Sequence, residues 1–432
     1  MKSRLLVVIA AGLGHEFLRR WTDGRLAGLQ FQPVASFFPA LTCTVQAGLR
    51  TASPPAQHGL PGNGYLDRDL GRPLFWEQSA RLVRGERIWS GLRGRGGRVA
   101  MLFWQQSLGE EVDFLVSPAP IHLHGGGMVE DCYAQPAGLY ARLCTALHAR
   151  FRLHTYWGPL ASARASTWIA RATAVVLQER DLAPELCLTY LPALDYDLQR
   201  YGPDDRRSRA ALAALDRDLA ALLAVARQCG YEALVLGDYA IGATAGGPVF
   251  PNRLLREGGW LQVRAVGRRL YPDLAASQAF GVVDHEVAHV YARGGDLAAI
   301  RARLAALPGV GEVLDAAAQA RRGLAGPRSG DLVLVAQPGR WFAYPWWQRA
   351  AEAPDYASHV DIHNKPGYDP CELFFGWPPL TVSRDPGRIG GSHGRVGPDR
   401  LACWAATFAL ARAPQTQQDL AEDMRRRLEA MA

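Results

Sequence analysis

Five uninterrupted apolar runs, at residues 5–10, 99–104, 186–191, 233–236 and 332–336, set the architecture of this 432-residue chain. A strand with one wet face alternates apolar and polar residues; these runs do not alternate, so each is expected to be buried on both faces. Amphipathic spacing near 136–150, 166–179, 206–229, 296–307 and 416–431 places helices between and after them. Apolar strands separated by helices predict an α/β fold: a three-layer α/β/α sandwich around a mostly parallel central sheet. In such sheets chemistry gathers where strands end at their carboxyl side, which draws attention to Asp195 and Asp238.

The 281–330 segment breaks the rhythm. It reads as strand 282–291, helix 297–307 and strand 310–314 with glycine-rich joints, a small α+β insertion in a domain made of 1–280 and 331–432. No run reaches the roughly 18 apolar residues of a membrane helix, so no membrane insertion is expected. The opening Met1-Lys2-Ser3-Arg4 followed by a short apolar stretch reads as a first buried strand rather than a secretory leader, which implies a cytoplasmic protein. The net charge is +7, and only Lys2 and Lys365 are lysines among 48 basic residues. The run Arg93-Gly94-Arg95-Gly96-Gly97-Arg98 is too short for a nucleic-acid face, so a mild preference for anionic small molecules is the reading. Seven scattered cysteines, none in Cys-x-x-Cys spacing, indicate neither a disulfide framework nor a zinc knuckle.

The chemistry is expected around Phe37-Phe38-Pro39-Ala40-Leu41-Thr42-Cys43-Thr44. A proline-bounded extended segment delivers the Thr42 hydroxyl to the start of a short helix, where unpaired N–H groups favour an oxyanion or phosphate. Pro54-Pro55 and His58-Gly59 then stop the helix and turn the chain, and Asn63 brings a side-chain N–H donor nearby. A hydroxyl, a positive helix end and an amide donor suit phosphoryl transfer.

These residues resemble the type I phosphodiesterase/nucleotide pyrophosphatase branch of the alkaline phosphatase superfamily. There a threonine nucleophile precedes a Thr-Gly-x-x-Pro-x-x-His-Gly segment and a phosphate-binding asparagine. Thr42, the Thr51-to-Gly59 segment and Asn63 match, with Ala52 in place of the first glycine. The resemblance implies a metal-dependent phosphoric ester hydrolase working through a phosphothreonine, on a small phosphorylated substrate. One or two divalent ions are implied, zinc first and manganese second.

Position by position, the resemblance gives Asp195, Asp238 and the late Gly-x-His-Gly residue His393 as metal ligands. Gln199 and Tyr239 stand where the family has histidines, and Ala10 and Ala11 stand where the leading strand should end in a carboxylate. Asp361 and His363, two apart and so on one face if they lie on a strand, could replace a lost ligand, as could His15 or Glu16. The substitutions also raise an alternative: a degenerate member that binds a phosphorylated ligand or partner with weak or no turnover. Cleavage of a sulfate or phosphonate ester would use the same architecture.

One motif points elsewhere. His285-Glu286-Val287-Ala288-His289 fits the zinc-protease pattern H-E-x-x-H, which requires a helix, whereas the β-branched residues around it predict a strand. A serine-hydrolase triad at Gly390-Gly391-Ser392-His393-Gly394 fails on order, because no histidine follows His393.

Overall fold

A computed structural model describes residues 4–125, 127–294, 296–410 and 412–431. The strands of its two larger sheets are β1 (Arg4–Ala10), β2 (Gln32–Val34), β3 (Val99–Leu102), β4 (Phe114–Pro118), β5 (Cys132–Gln135), β6 (Leu186–Leu191), β7 (Tyr231–Gly237), β8 (Ala279–Asp284), β9 (Val287–Ala292), β10 (Val310–Leu314), β11 (Leu332–Ala336) and β12 (Ala402–Ala406). The helices used below are α1 (His15–Thr22), α2 (Thr42–Thr51), α3 (Leu139–Leu147), α4 (Ala163–Gln178), α5 (Ala193–Tyr201), α6 (Arg206–Gln228), α7 (Leu297–Ala305) and α8 (Gln417–Ala430).

An eight-stranded sheet runs in the order β5-β4-β3-β6-β1-β7-β12-β2. Its centre, β4-β3-β6-β1-β7, is parallel, and the outer pairings to β5, β12 and β2 are antiparallel. Every side chain of β6 and all of β1 after Arg4 are buried, as continuous apolar runs demand. Helices α3, α4, α5 and α6 form one packed group and α2 with α8 another, giving the expected three-layer α/β/α sandwich. No described helix is long and apolar enough to cross a membrane.

A second, antiparallel sheet of four strands runs β8-β9-β11-β10. Two expectations change here. The apolar run 332–336 belongs to this smaller sheet, paired with β9 and β10, and not to the parallel one. The run 282–291 is not one strand but a hairpin, β8 and β9, closed by His285 and Glu286. Trp341 and Trp346 are fully buried and Trp347 nearly so, so the tryptophan-rich segment belongs to the interior.

The parallel core fixes where a site can form. β1 lies between β6 and β7, and the chain leaving the carboxyl ends of all three converges. β1 runs into Ala11 and Gly12, β6 into the first turn of α5 with Asp195, and β7 directly into Asp238 and Tyr239.

Candidate active site

Thr42 is the first residue of α2, after an extended Leu41 (φ −128°, ψ 145°). The helix is buried along its whole length. Gly48 is required there, because a Cβ would lie 2.7 Å from the Phe37 ring. At its C-terminal end Ala52 adopts a left-handed conformation (φ 48°), the place where a relative's glycine would sit without strain. Arg50, fully buried, anchors the helix by donating to the Gln105 and Gln106 carbonyls and to Glu110 Oε2.

Asn63 lies beside the N-terminus of α2. Its Oδ1 accepts from the Cys43 N–H (3.0 Å), satisfying one open donor of the helix. Its Nδ2 donates to Asp284 Oδ1 (3.1 Å) and its backbone N–H to Asp284 Oδ2 (2.7 Å). The amide expected to face a phosphate is therefore also a bridge to the β8–β9 hairpin.

A continuous hydrogen-bonded chain meets the Thr42 hydroxyl. Tyr239 Oη donates to Asp195 Oδ1 (3.2 Å) and lies 3.1 Å from Thr42 Oγ1. A phenol has one proton, so with that proton on Asp195 the Thr42 hydroxyl is the donor to Tyr239. Gln199 Nε2 donates to the other Asp195 oxygen (2.5 Å), and Tyr368 Oη donates to Gln199 Oε1 (2.7 Å). Asp195 and Gln199 are four apart on α5, hence on one helix face. Burial pushes the Asp195 carboxyl up to about 7, against the pull of the Gln199 and Tyr239 hydrogen bonds.

Asp238 accepts from the Gly12 N–H (2.9 Å) and the Tyr239 N–H (3.0 Å) through Oδ1. Its Oδ2 is buried without a partner. Burial, first among the causes, holds this carboxyl well above the usual carboxylate range. His393 donates from Nδ1 to the Ala40 carbonyl (2.8 Å), and its Nε2 is 4.0 Å from Asp195 Oδ1, too far for a hydrogen bond. The Tyr239 ring stacks flat on the His393 ring, with centroids 3.5 Å apart and planes 4° apart.

The structure adds Asp284 and Tyr368, which sequence reasoning missed, and gives His285 a place other than the protease pattern. His285, at the hairpin tip with a left-handed backbone (φ 60°), bonds Asp284 Oδ1 through Nδ1 (2.8 Å). Its ring lies against Tyr368 (3.6 Å) and His393 (3.7 Å), and its Nε2 is buried without a partner. Burial drives His285 and His393 well below the ordinary imidazole value, so both are neutral. Asp284 is pushed up to about 7, again by burial first. The turn residues His285-Glu286 contain no glycine or asparagine, so the usual hairpin signal is missing from the sequence.

Several expected ligands do not join this cluster. Asp361 and His363 lie on a turn and not on a strand, so the shared-face argument fails. Asp361 accepts from the Asn364 backbone and side chain, and His363 contacts the Phe75 carbonyl. His15 opens α1, and Glu16 pairs with Arg19 on the surface. The protease pattern is also undone: His289 is held in β9 between the Pro61 carbonyl and the Gly330 N–H, and Glu286 is paired with Arg400. With no helix beneath it, the motif cannot aim both imidazoles at one ion.

A sequence profile of the type I phosphodiesterase / nucleotide pyrophosphatase family matches residues 16–369. The chain belongs to that family. Membership makes it a phosphodiesterase/phosphatase-type hydrolase by descent. Among solved structures it is similar to phosphonoacetate hydrolase from Sinorhizobium meliloti 1021 in complex with phosphonoformate, at 18% identity and a TM-score of 0.64, covering 100% of this chain and 96% of that one. It is also similar to murine ectonucleotide pyrophosphatase / phosphodiesterase 5 at 14% identity, TM-score 0.59, covering 99% and 95%. The human counterpart gives 12% identity, TM-score 0.60, with 99% and 95% covered. At such identities these likenesses establish the alkaline phosphatase-like fold. A comparison with curated protein sequences finds no match.

The type I phosphodiesterase family is typically dependent on divalent metal. Of the seven positions the resemblance assigns to a two-ion centre, Thr42, Asp195, Asp238 and His393 keep donor chemistry. Ala11 has lost its carboxylate, and Gln199 and Tyr239 replace two imidazoles with an amide and a phenol. Both Asp195 oxygens are already bonded, one to Gln199 and one to Tyr239. Among the described residues no group of three or more His, Cys, Asp or Glu side chains is arranged to hold an ion. The residues present do not fit a two-ion centre.

Proposed function

We propose that this chain cleaves a small phosphoric or phosphonic ester with Thr42 as the phosphoryl acceptor. The observation that carries the reading is the Thr42–Tyr239–Asp195 chain at the N-terminus of α2. In the first step the Thr42 Oγ1–phosphorus bond forms and the bond from phosphorus to the leaving oxygen breaks. The Thr42 proton passes to the Tyr239 oxygen as the Tyr239 proton passes to Asp195. A carboxyl pushed up to about 7 exists in both forms near neutrality, which suits a base that must later return the proton. The leaving oxygen takes its proton from water. A second water then attacks phosphorus, breaks the phosphothreonine bond and restores the hydroxyl. The amide dipoles at the start of α2 would stabilise the equatorial oxygens. Zinc or manganese, implied by kinship, is assigned no step.

A second reading is binding without turnover. It is favoured by the burial of Thr42, which is only 4% exposed, and by the engagement of both ends of the Asn63 amide. Hydrolysis of a panel of chromogenic phosphodiesters and monoesters tests the first reading. Thr42→Ser is expected to retain turnover and Thr42→Ala to lose it, with acid-quenched protein carrying a phosphoryl group on Thr42. Equal rates for wild type and Thr42→Ala would remove Thr42 from the chemistry. Saturable binding of inorganic phosphate or vanadate with no turnover on any ester would establish the second reading.

A further inference from the structure

The clash between family and donor set has a specific physical cause. A cation shared by a nucleophile and a carboxylate must lie between them, at about 2.0–2.2 Å from each oxygen for zinc. In this chain the Tyr239 Oη sits between them, 3.1 Å from Thr42 Oγ1 and 3.2 Å from Asp195 Oδ1. The aromatic ring behind it is 1% exposed and stacked on His393, so the phenol is wedged in place and not a side chain that can swing aside. Around the second carboxylate the compensation is different. Ala11 supplies no oxygen, and the Gly12 and Tyr239 amides cap Asp238 Oδ1 instead.

The charges agree with the packing. Asp195, Asp238 and Asp284 are all buried, and among the described residues no Lys or Arg side chain is hydrogen-bonded to any of them. Two cations in a related centre would balance such carboxylates. Here amide, phenol and backbone donors do so as hydrogen bonds, each of which can serve a protonated or a shared-proton carboxyl.

We infer that the Tyr239 phenol has taken the place of the bridging cation, so that this site binds its phosphoester with no divalent ion. The inference rests on the reading of Thr42 as the group facing phosphorus, but its first readout is independent of that reading.

The test is the metal content of the full chain, purified with added zinc and manganese and dialysed against metal-free buffer, measured by mass spectrometry. The wild type is expected to hold a small fraction of an ion per chain and to show no thermal upshift on titration with either metal. Tyr239→His with Gln199→His and Ala11→Asp restores the missing donors and is expected to hold at least one zinc per chain and gain a zinc-dependent upshift. If the triple variant does not fold, Tyr239→His alone is titrated with zinc in the same way, and a gain of affinity over wild type is expected. A wild-type protein with stoichiometric metal that disappears in Asp195→Ala would overturn the inference. So would an ester hydrolysis rate that collapses with chelator and returns with zinc. Chelator-insensitive turnover that survives Thr42→Ala would leave the inference standing and sink the function proposed for Thr42. The two failures are thereby distinguishable.

Discussion

Replacing Tyr239 by phenylalanine removes one oxygen atom and keeps the ring that stacks on His393. The oxygen joins two partners, Thr42 at 3.1 Å and Asp195 at 3.2 Å, in a region where Thr42 is 4% and Asp195 5% exposed. Each such bond contributes about 1 kcal/mol net, and leaving a buried acceptor unpaired costs about 1–3 kcal/mol more. The variant is therefore expected to be less stable by about 3–5 kcal/mol. Unfolding entropies near 2.1 cal/mol/K per residue give about 0.9 kcal/mol/K for a chain of this length, so Tm should fall by about 3–6 °C in a single cooperative transition. Differential scanning calorimetry measures the shift, and a double-mutant cycle with Asp195→Asn isolates the Tyr239–Asp195 contribution, expected at about 1 kcal/mol. A Tyr239→Phe protein as stable as wild type, with zero coupling to Asp195, would refute the hydrogen-bonded chain. A rise in stability on adding zinc to Tyr239→Phe, absent in wild type, would support the phenol as the obstacle to an ion.

Three further outcomes follow from the same coordinates. The Asp195 and Asp284 carboxyls are raised to about 7 by burial, so the stability they contribute is full below about pH 4 and lost as pH rises towards 7. Asp195→Asn should flatten that part of the Tm–pH curve by a few kcal/mol, and an unchanged slope would remove Asp195 as its source. Ala52→Gly relieves a left-handed alanine at the end of α2 and should raise stability by about 0.5–1 kcal/mol, read from the denaturant midpoint; a loss would contradict the strain. Lys365 is 1% exposed and bonds Asp369 (2.8 Å) and Glu372 (2.6 Å), so Lys365→Met should cost about 3–5 kcal/mol by stranding two buried carboxylates, while an isostable variant would mean the acids find other partners.

Much of the fold was legible because burial on both faces leaves an unmistakable composition. The runs at 5–10, 99–104, 186–191 and 233–236 all lie in the parallel centre. Residues 332–336 are equally apolar and were assigned to the wrong sheet, since a buried strand carries no mark of which neighbours bury it. Edge strands β2 and β5 pair on one side only and left no such run. At the site, order along the chain was enough to bring Thr42, Asp195, Asp238 and His393 to the same carboxyl-edge region. Sequence could name Gln199 and Tyr239 as substitutions but not foresee that the phenol would reach both Thr42 and Asp195, a matter of side-chain length across two strand ends. Asp361 and His363 misled because two-residue spacing implies a shared face only on a strand, and the chain there turns.

The β8–β9 tip ties the smaller sheet to Thr42 through one intermediary. Asp284 grips Asn63 by two hydrogen bonds, and Asn63 in turn caps the first turn of α2. Exchanging the four-stranded module for that of a cousin would thus be no cosmetic graft. Unless the newcomer delivers a carboxylate at the same tip, the asparagine loses its clamp and the first turn of α2 its cap, so the two sheets must be inherited, or engineered, as a pair.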